Sequence, residues 1–221
     1  TAKDEDILTS RTLLKKGIAL DRLLANILVD KKIDISKLLI CDKNALIVAT
    51  RISGYGAEYN TRVVCPACLG QVQHDFDLNQ AQVVSADDID FEELEVKTTE
   101  RSTFLIHLPR MDVELEVRLM YGVDEKEIVR LSDQNKKNKR VESVLTHQLR
   151  RFIVSANGDS DRKTINYVVD HMPAADARFL RKKYQAITPT VDLTQHFECV
   201  ECGNEQEMEV PFTTDFFWPD R

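Results

Sequence analysis

The chain has 221 residues, of which 43% are hydrophobic and 30% charged, and its formal net charge is −7 at pH 7. This composition is typical of a globular protein with one large domain or two small ones. The negative charge argues against non-specific binding of nucleic acid, which depends on neutralising phosphates, and no apolar run approaches the roughly 20 residues that cross a bilayer. We therefore expect neither a nucleic acid nor a membrane as a partner.

The first third of the chain has the pattern of helices followed by strands. Leucine and isoleucine recur at three- and four-residue spacing over residues 9–30, which predicts a helix that Gly17 interrupts. A second helix is expected over residues 42–52, with Asp42 as its N-cap. Two short strands then enclose the first pair of cysteines, so this part predicts a helical block followed by a β-hairpin.

The rest of the chain begins with an acidic segment, residues 85–102, which predicts a solvated linker. Residues 113–121 alternate apolar and charged side chains, the pattern of a strand with one buried face, and this strand is expected to pair with residues 103–108. A later helix is expected to begin at Pro173, and two closing strands surround the second pair of cysteines. Three further helices are predicted, at 124–134, 137–155 and 162–171.

Two CxxC pairs are the strongest chemical signal in the sequence. A CxxC turn offers two thiolates to one metal ion, and tetrahedral zinc needs four ligands. The economical arrangement brings both pairs to one structural zinc ion, although metal-free thiols, oxidation within each pair and separate sites with outside ligands stay open. Strands flank both pairs, which disfavours a redox role, because a redox CxxC usually starts a helix. The predicted metal ligands are Cys65, Cys68, Cys199 and Cys202.

Three other residues near this chemistry have simpler explanations. His74 occupies the register of an apolar residue in the second hairpin, which favours a half-buried structural histidine over a ligand. His196 alternates with the apolar Phe197, which favours a solvated side chain. The fifth cysteine, Cys41, stands in an apolar run and is expected to be a small core residue. No nucleophile elbow, phosphate loop or HExxH helix is present, so we predict that the chain is not an enzyme.

The two cysteine pairs lie in related surroundings. Asp42 precedes Cys65 by 23 residues, and Asp176 precedes Cys199 by 23. Both aspartates are near the start of a predicted helix that leads into a strand and a CxxC. The alternation of apolar and polar residues also matches beyond each pair. The matching positions are Val72, His74, Phe76 and Leu78 in the first copy and Gln206, Met208, Val210 and Phe212 in the second.

This repeat predicts an α+β fold made of two related α/β-hairpin halves, each ending in a CxxC zinc knuckle on a β-hairpin. The first repeat would span 1–84, the acidic linker 85–102 and the second repeat 103–221. Only the second half begins with a strand pair, so we expect the first half to have one too, before Thr1 and outside this sequence.

Two surfaces are candidates for partners. The aromatic tail, for which we predict partner binding by Phe216, Phe217 and Trp218, must pack on its own domain or on a neighbour. Basic groups on the predicted helices would suit either a nucleic-acid patch or, as we favour, exposed faces that contact water or an acidic partner. These are Lys136, Lys137, Lys139, Arg140, Arg150, Arg151, Arg181, Lys182 and Lys183.

Taken together, these motifs resemble the baseplate proteins of T-even-like bacteriophages with contractile tails. The similarity lies in residues 42–46 and 51–59 with the first knuckle, in the strand from Leu108-Pro109 into Gly122 and Asp124-Glu125, and in residues 191–219 with the second knuckle. It covers nearly the whole chain, and its motifs are specific as a set rather than one by one.

The resemblance implies a non-enzymatic structural component of the baseplate hub, a virion protein in which we expect structural zinc to clamp the two halves. It equally implies, as an alternative, a transient chaperone for hub assembly. The expected partners are other baseplate and hub proteins, with a homo-oligomer as a further option. The expected location is the tail baseplate, after assembly in the host cytoplasm. A zinc-ribbon protein that binds nucleic acid is the second alternative.

Overall fold

A computed structural model describes residues 1–15, 17–137, 144–211 and 216–217, and it separates the chain into two compact units. Unit 1 contains residues 1–35, 41–84 and 190–221, and unit 2 contains residues 36–40 and 85–189. Unit 2 is therefore inserted between two parts of unit 1 in the sequence. The fold is mixed α and β with small antiparallel sheets, as the α+β prediction requires.

Unit 1 consists of four helices and three two-stranded antiparallel ribbons within the described residues. The helices are α1 (Ala2–Thr9), α2 (Arg11–Lys15), α3 (Ala19–Ile27) and α4 (Ile40–Tyr55). The ribbons pair β1 (Glu58–Val64) with β2 (Gln71–Asp77), β3 (Gln82–Val84) with β8 (Thr190–Asp192), and β9 (Thr194–Glu198) with β10 (Glu205–Glu209). Each ribbon is too small to be stable alone.

The buried faces of these ribbons follow the strand alternation. Along β1 every second side chain is buried, with Tyr59 and Val63 on the inner face. Phe76 of β2 and Phe197 of β9 are likewise buried. The alternation read from the sequence therefore places the core correctly, because successive side chains of a strand point to opposite faces.

Unit 2 is built on a four-stranded antiparallel sheet in the order β4-β5-β6-β7. The strands are β4 (Lys97–Thr98), β5 (Phe104–Leu108), β6 (Val113–Val117) and β7 (Ile153–Ala156), and the helices are α5 (Gly122–Lys137), α6 (Val144–Phe152), α7 (Arg162–His171) and α8 (Ala174–Ala186). Helix α7 agrees with its predicted bounds, and α8 begins one residue after Pro173.

Two predicted helices are wrong in extent. The region 9–30 contains two short helices, α2 and α3, because the chain between them includes Gly17 at φ +66°, a conformation that a helix does not allow. The region 137–155 includes strand β7, which pairs with β6. The β-branched Ile153 and Val154 favour a strand only weakly, so pairing with β6 decides the conformation of Ile153 to Ala156. Asp42 lies in the first turn of α4 and is not an N-cap, since the helix already begins at Ile40.

The acidic segment 85–102 is folded rather than free. Val96 is buried, and the ring of Phe91 stacks on Phe104 of the neighbouring strand at 5.5 Å between centroids. Apolar side chains hidden among its carboxylates thus anchor it to the core of unit 2. The acidic composition predicted a solvated linker, but composition does not show whether the few apolar residues of the segment are buried.

The compact units do not coincide with the two sequence halves. The order helix, strand, knuckle, strand does occur twice, and Asp42 and Asp176 both lie in the first turn of their helices. Their surroundings differ, since Asp42 is exposed whereas Asp176 is buried and accepts hydrogen bonds from the backbone N–H groups of Arg110 and Met111. The second knuckle packs in unit 1 with the first, while α8 packs in unit 2. A duplication across residues 1–84 and 103–221 stays a prediction.

Candidate metal centre

Both CxxC segments form the same tight turn between paired strands. In the first, the N–H of Cys65 donates to the carbonyl of Gly70 (2.9 Å) and the N–H of Leu69 donates to the carbonyl of Cys65 (2.8 Å). In the second, the corresponding bonds run from Cys199 to Asn204 (2.9 Å) and from Gly203 to Cys199 (2.8 Å). Such turns bring both thiols of a pair to one side, as two zinc knuckles would require.

The residue after each second cysteine has a left-handed backbone. Gly203 has φ +69°, and Leu69 has φ +60° at the corresponding position of the first turn. A leucine there costs free energy that glycine avoids. At Gly70, one place later, the constraint is steric rather than conformational. A Cβ on this residue would collide with the carboxylate of Glu201 and lie 3.2 Å from the sulfur of Cys68.

The four predicted cysteines come together in unit 1. The Sγ atoms of Cys65 and Cys202 are 3.8 Å apart, as are those of Cys68 and Cys199, and all four lie within 4.8 Å of one another. All four are free thiols. Around a metal with bonds of about 2.3 Å to sulfur, the edges of a regular tetrahedron of ligands measure about 3.8 Å. The donor set and its spacing therefore fit a tetrahedral thiolate site for zinc.

The electrostatics of the cluster favour a cation. Hydrogen bonding from the backbone of Cys68 lowers the pKa of the Cys65 thiol to about 7. At Cys202, the backbone N–H of Asn204 favours the thiolate, but partial loss of hydration and the hydrogen bonds with the neighbouring thiols outweigh it and raise the pKa to about 12. The first thiolate of the cluster forms readily, whereas each further thiolate is disfavoured by the thiols and charge already beside it. A divalent cation would compensate this repulsion and allow all four thiolates to coexist.

The four cysteines of the cluster differ in their exposure to solvent. Cys65 and Cys199 are buried, whereas Cys68 and Cys202 are exposed. The first cysteine of each turn directly follows a strand and is buried, and the last is exposed on the turn. Four protein ligands would complete the coordination of zinc and leave no position for a substrate, the pattern of a structural rather than a catalytic site.

The neighbouring histidines and Cys41 lie outside this cluster. The ring of His74 packs edge-on against Phe76 at 4.6 Å and against Phe197 at 5.1 Å, so it is a packed structural histidine. His196 is exposed on the opposite face of β9. Cys41 is partly buried beside Asp42, and burial raises the pKa of its thiol.

The aromatic tail packs on its own unit where it is described. Phe216 and Phe217 are 2% and 4% exposed, and Phe216 meets the ring of Tyr59 edge-on at 5.3 Å. The self-packing alternative thus accounts for these two rings. Trp218, Phe212, Lys139 and Arg140 lie outside the described residues. Partner binding by Phe216, Phe217 and Trp218 stays a prediction.

Sequence reasoning missed two polar residues that hold the hairpins in place. The Gln195 amide, 7% exposed, accepts a hydrogen bond from the N–H of Asp77 (3.0 Å) and donates to the carbonyl of Asp77 (2.8 Å). Buried Arg51 donates to the carbonyls of Gly56 and Glu58. The only sequence signal for Gln195 is a polar residue at an inward position of β9, where Leu or Val is normal.

These features define the class of protein: an α+β protein of two compact units with a cluster of four cysteine thiols as its candidate metal site. No helix in the described part of the chain has the length and apolar character to cross a membrane. The chain matches the family model described as T4 bacteriophage base plate protein over residues 2–218. It therefore belongs to this family of phage baseplate proteins. No curated protein and no solved structure matches it.

Proposed function

We propose that this protein is a non-enzymatic structural component of a contractile phage tail baseplate, in its hub region, and that one zinc ion joins its two knuckle hairpins. Membership of the baseplate family supports a structural role and a virion tail location among other baseplate proteins. The observation that carries the zinc proposal is the set of four thiols with two opposite edges of 3.8 Å.

The proposed ligands are Cys65, Cys68, Cys199 and Cys202. When bound, zinc would supply a covalent tie between chain segments that are far apart in sequence, and its binding free energy would add to folding. This matters because ribbons of two strands are marginal in water. A rigid pair of hairpins suits a part that remains in an assembled particle.

The metal is tested on purified protein kept reduced, by elemental analysis and thermal unfolding. We expect about one zinc ion per chain. Cys202→Ser is expected to lose the metal and to unfold at a lower temperature. Cys41→Ser is the matched control, because it removes a thiol outside the cluster and is expected to keep the metal. Reduced protein without zinc, or equal loss in both variants, would refute the proposal.

The place of the protein is tested separately by mass spectrometry of purified virions. A structural component is expected in finished particles, at a fixed ratio to other baseplate proteins. Presence only in infected-cell extracts would support the alternative, a transient hub assembly chaperone. The zinc result and the particle result are independent, so either part of the proposal can fail alone.

A further inference from the structure

A basic groove in unit 2 has a well-fixed apolar floor. The groove has a volume of about 490 Å³, within the usual range of ligand sites. Its floor includes the ring of Tyr184, which stacks on Phe152 at 4.2 Å and accepts a hydrogen bond from the N–H of Met120. The floor is therefore held by packing and by a backbone contact rather than by loose surface side chains.

One face of α8 forms the basic wall of this groove. Arg178, Arg181, Lys182 and Gln185 line it, and their spacing of three and four residues puts them on one stripe of the helix. The adjacent stripe, which includes Leu180, is buried in the core of unit 2. Helix packing thus fixes the direction in which the three cations are presented.

These three cations have no carboxylate partner within the described residues. Five other cations of unit 2 form ion pairs: Arg118 with Asp124, Arg130 and Arg151 with Glu127, Arg150 with Asp170, and Lys183 with Glu95. Among the described residues no Asp or Glu lines the groove, and the one hydrogen bond of the Arg181 side chain runs from its Nε to the carbonyl of Ala177. In a chain with net charge −7, this is a local excess of positive charge beside an apolar surface.

We propose that this groove binds an acidic segment of a partner protein, one that presents carboxylates together with an apolar side chain. Arginine forks match carboxylate geometry, and the floor of Met120, Phe152 and Tyr184 offers contact to an aliphatic or aromatic residue. A nucleic acid needs a basic track that neutralises several phosphates. Arg130, Arg150 and Arg151 are already paired with carboxylates, so these described cations do not supply such a track. The proposal does not depend on the zinc site.

The test is fluorescence anisotropy with the full chain and a fluorescein-labelled peptide that interleaves Glu with Leu. We expect the triple variant Arg178→Glu, Arg181→Glu, Lys182→Glu to weaken binding by about tenfold or more. The matched control reverses three exposed cations elsewhere in unit 2, at Lys97, Arg101 and Lys163, with the same change in net charge. It is expected to alter affinity by less than about threefold at physiological salt.

Peptides and competitors separate the components of recognition. A peptide with Gln for every Glu is expected not to bind, and one with Gly for every Leu to bind more weakly, because the floor then has no apolar partner. No binding of the Glu–Leu peptide would overturn the proposal, as would equal losses in the two triple variants. Stronger competition by single-stranded DNA than by unlabelled peptide would replace it with a nucleic-acid site.

Discussion

The amide of Gln195 is expected to tie the two knuckle hairpins together independently of any metal. It bonds both backbone groups of Asp77, at 3.0 Å and 2.8 Å, and it is almost fully buried. Gln195→Leu keeps the approximate size of the side chain and removes both hydrogen bonds. The variant therefore leaves one N–H and one carbonyl of the backbone of β2 without a partner.

The expected cost follows from those two groups. A buried polar group that loses its partner costs about 1–3 kcal/mol, and the leucine regains part of this through apolar burial. We expect Gln195→Leu to lower the free energy of unfolding by about 2–4 kcal/mol. The matched control is Gln206→Leu, the same substitution on β10 at a half-buried glutamine whose side chain makes no hydrogen bond to the described residues. It is expected to change stability by less than about 0.5 kcal/mol.

A second variant, Gln195→Glu, makes the same contact sensitive to pH. One carboxylate oxygen would still accept from the N–H of Asp77, but the other would face the carbonyl oxygen, which favours the protonated form. The pKa of the folded state is therefore raised above the unfolded value of about 4.3. Relative to wild type, the variant is expected to lose stability as the pH rises above that value and to regain it in acid.

Urea unfolding followed by circular dichroism measures these differences, with all variants at the same metal content. Hydrogen exchange over residues 71–84 gives the local result, because opening of this contact is expected to speed exchange at the end of β2 first. The reasoning fails if Gln195→Leu is as stable as Gln206→Leu. It also fails if the deficit of Gln195→Glu does not change with pH.

Three further outcomes follow from the described contacts. Gly203→Ala is expected to lower the free energy of unfolding by about 1 kcal/mol, because the backbone at this position has positive φ. Leu69→Gly, at the other position with positive φ, is expected to leave the free energy of unfolding unchanged or to raise it by up to about 1 kcal/mol. Equal effects of the two variants in urea unfolding would contradict this. The Arg118 guanidinium, bonded through two nitrogens, outweighs burial and keeps the pKa of Asp124 below its usual value. This pair stabilises the fold above about pH 4 and the stability is lost as the carboxylate protonates, so an acid titration of Asp124→Asn should show a shallower loss than wild type. Phe216→Ala is expected to cost about 3–5 kcal/mol by calorimetry, since its ring is buried on Tyr59, whereas an unchanged melting temperature would favour a partner-binding role.

Local patterns in the sequence were sufficient for several parts of the fold. Strand alternation placed the inner face of β2, and the predicted helices match α7, most of α4 and the start of α8. The candidate ligand set could also be predicted from the sequence, because two CxxC turns flanked by strands supply four thiols and tetrahedral zinc uses four. The prediction that all four cysteines meet is confirmed by their sulfur positions.

Other features depend on contacts between segments that are distant in sequence. Strand β7 lies where the local pattern indicated helix, since Ile153 and its neighbours take the conformation that pairing with β6 provides. The acidic segment joins a core because Val96 and Phe91 find apolar partners there. In both cases tertiary burial outweighs local propensity, whose differences are only about 1 kcal/mol per residue.

The chemistry of this protein follows from local patterns in its sequence: four cysteines in two turns, alternating strands around them, and the family motifs along the chain. Which segments pack together follows only from the tertiary fold. The second knuckle belongs to unit 1 together with the first, whereas the helices that precede it in the sequence belong to unit 2. The physical reason is that donor atoms and periodicity are properties of neighbouring residues, whereas the partner of a hairpin is selected by burial of surfaces such as Tyr59, Phe76 and Phe197 and by single contacts such as that of Gln195. Such surfaces exist only after distant segments have come together.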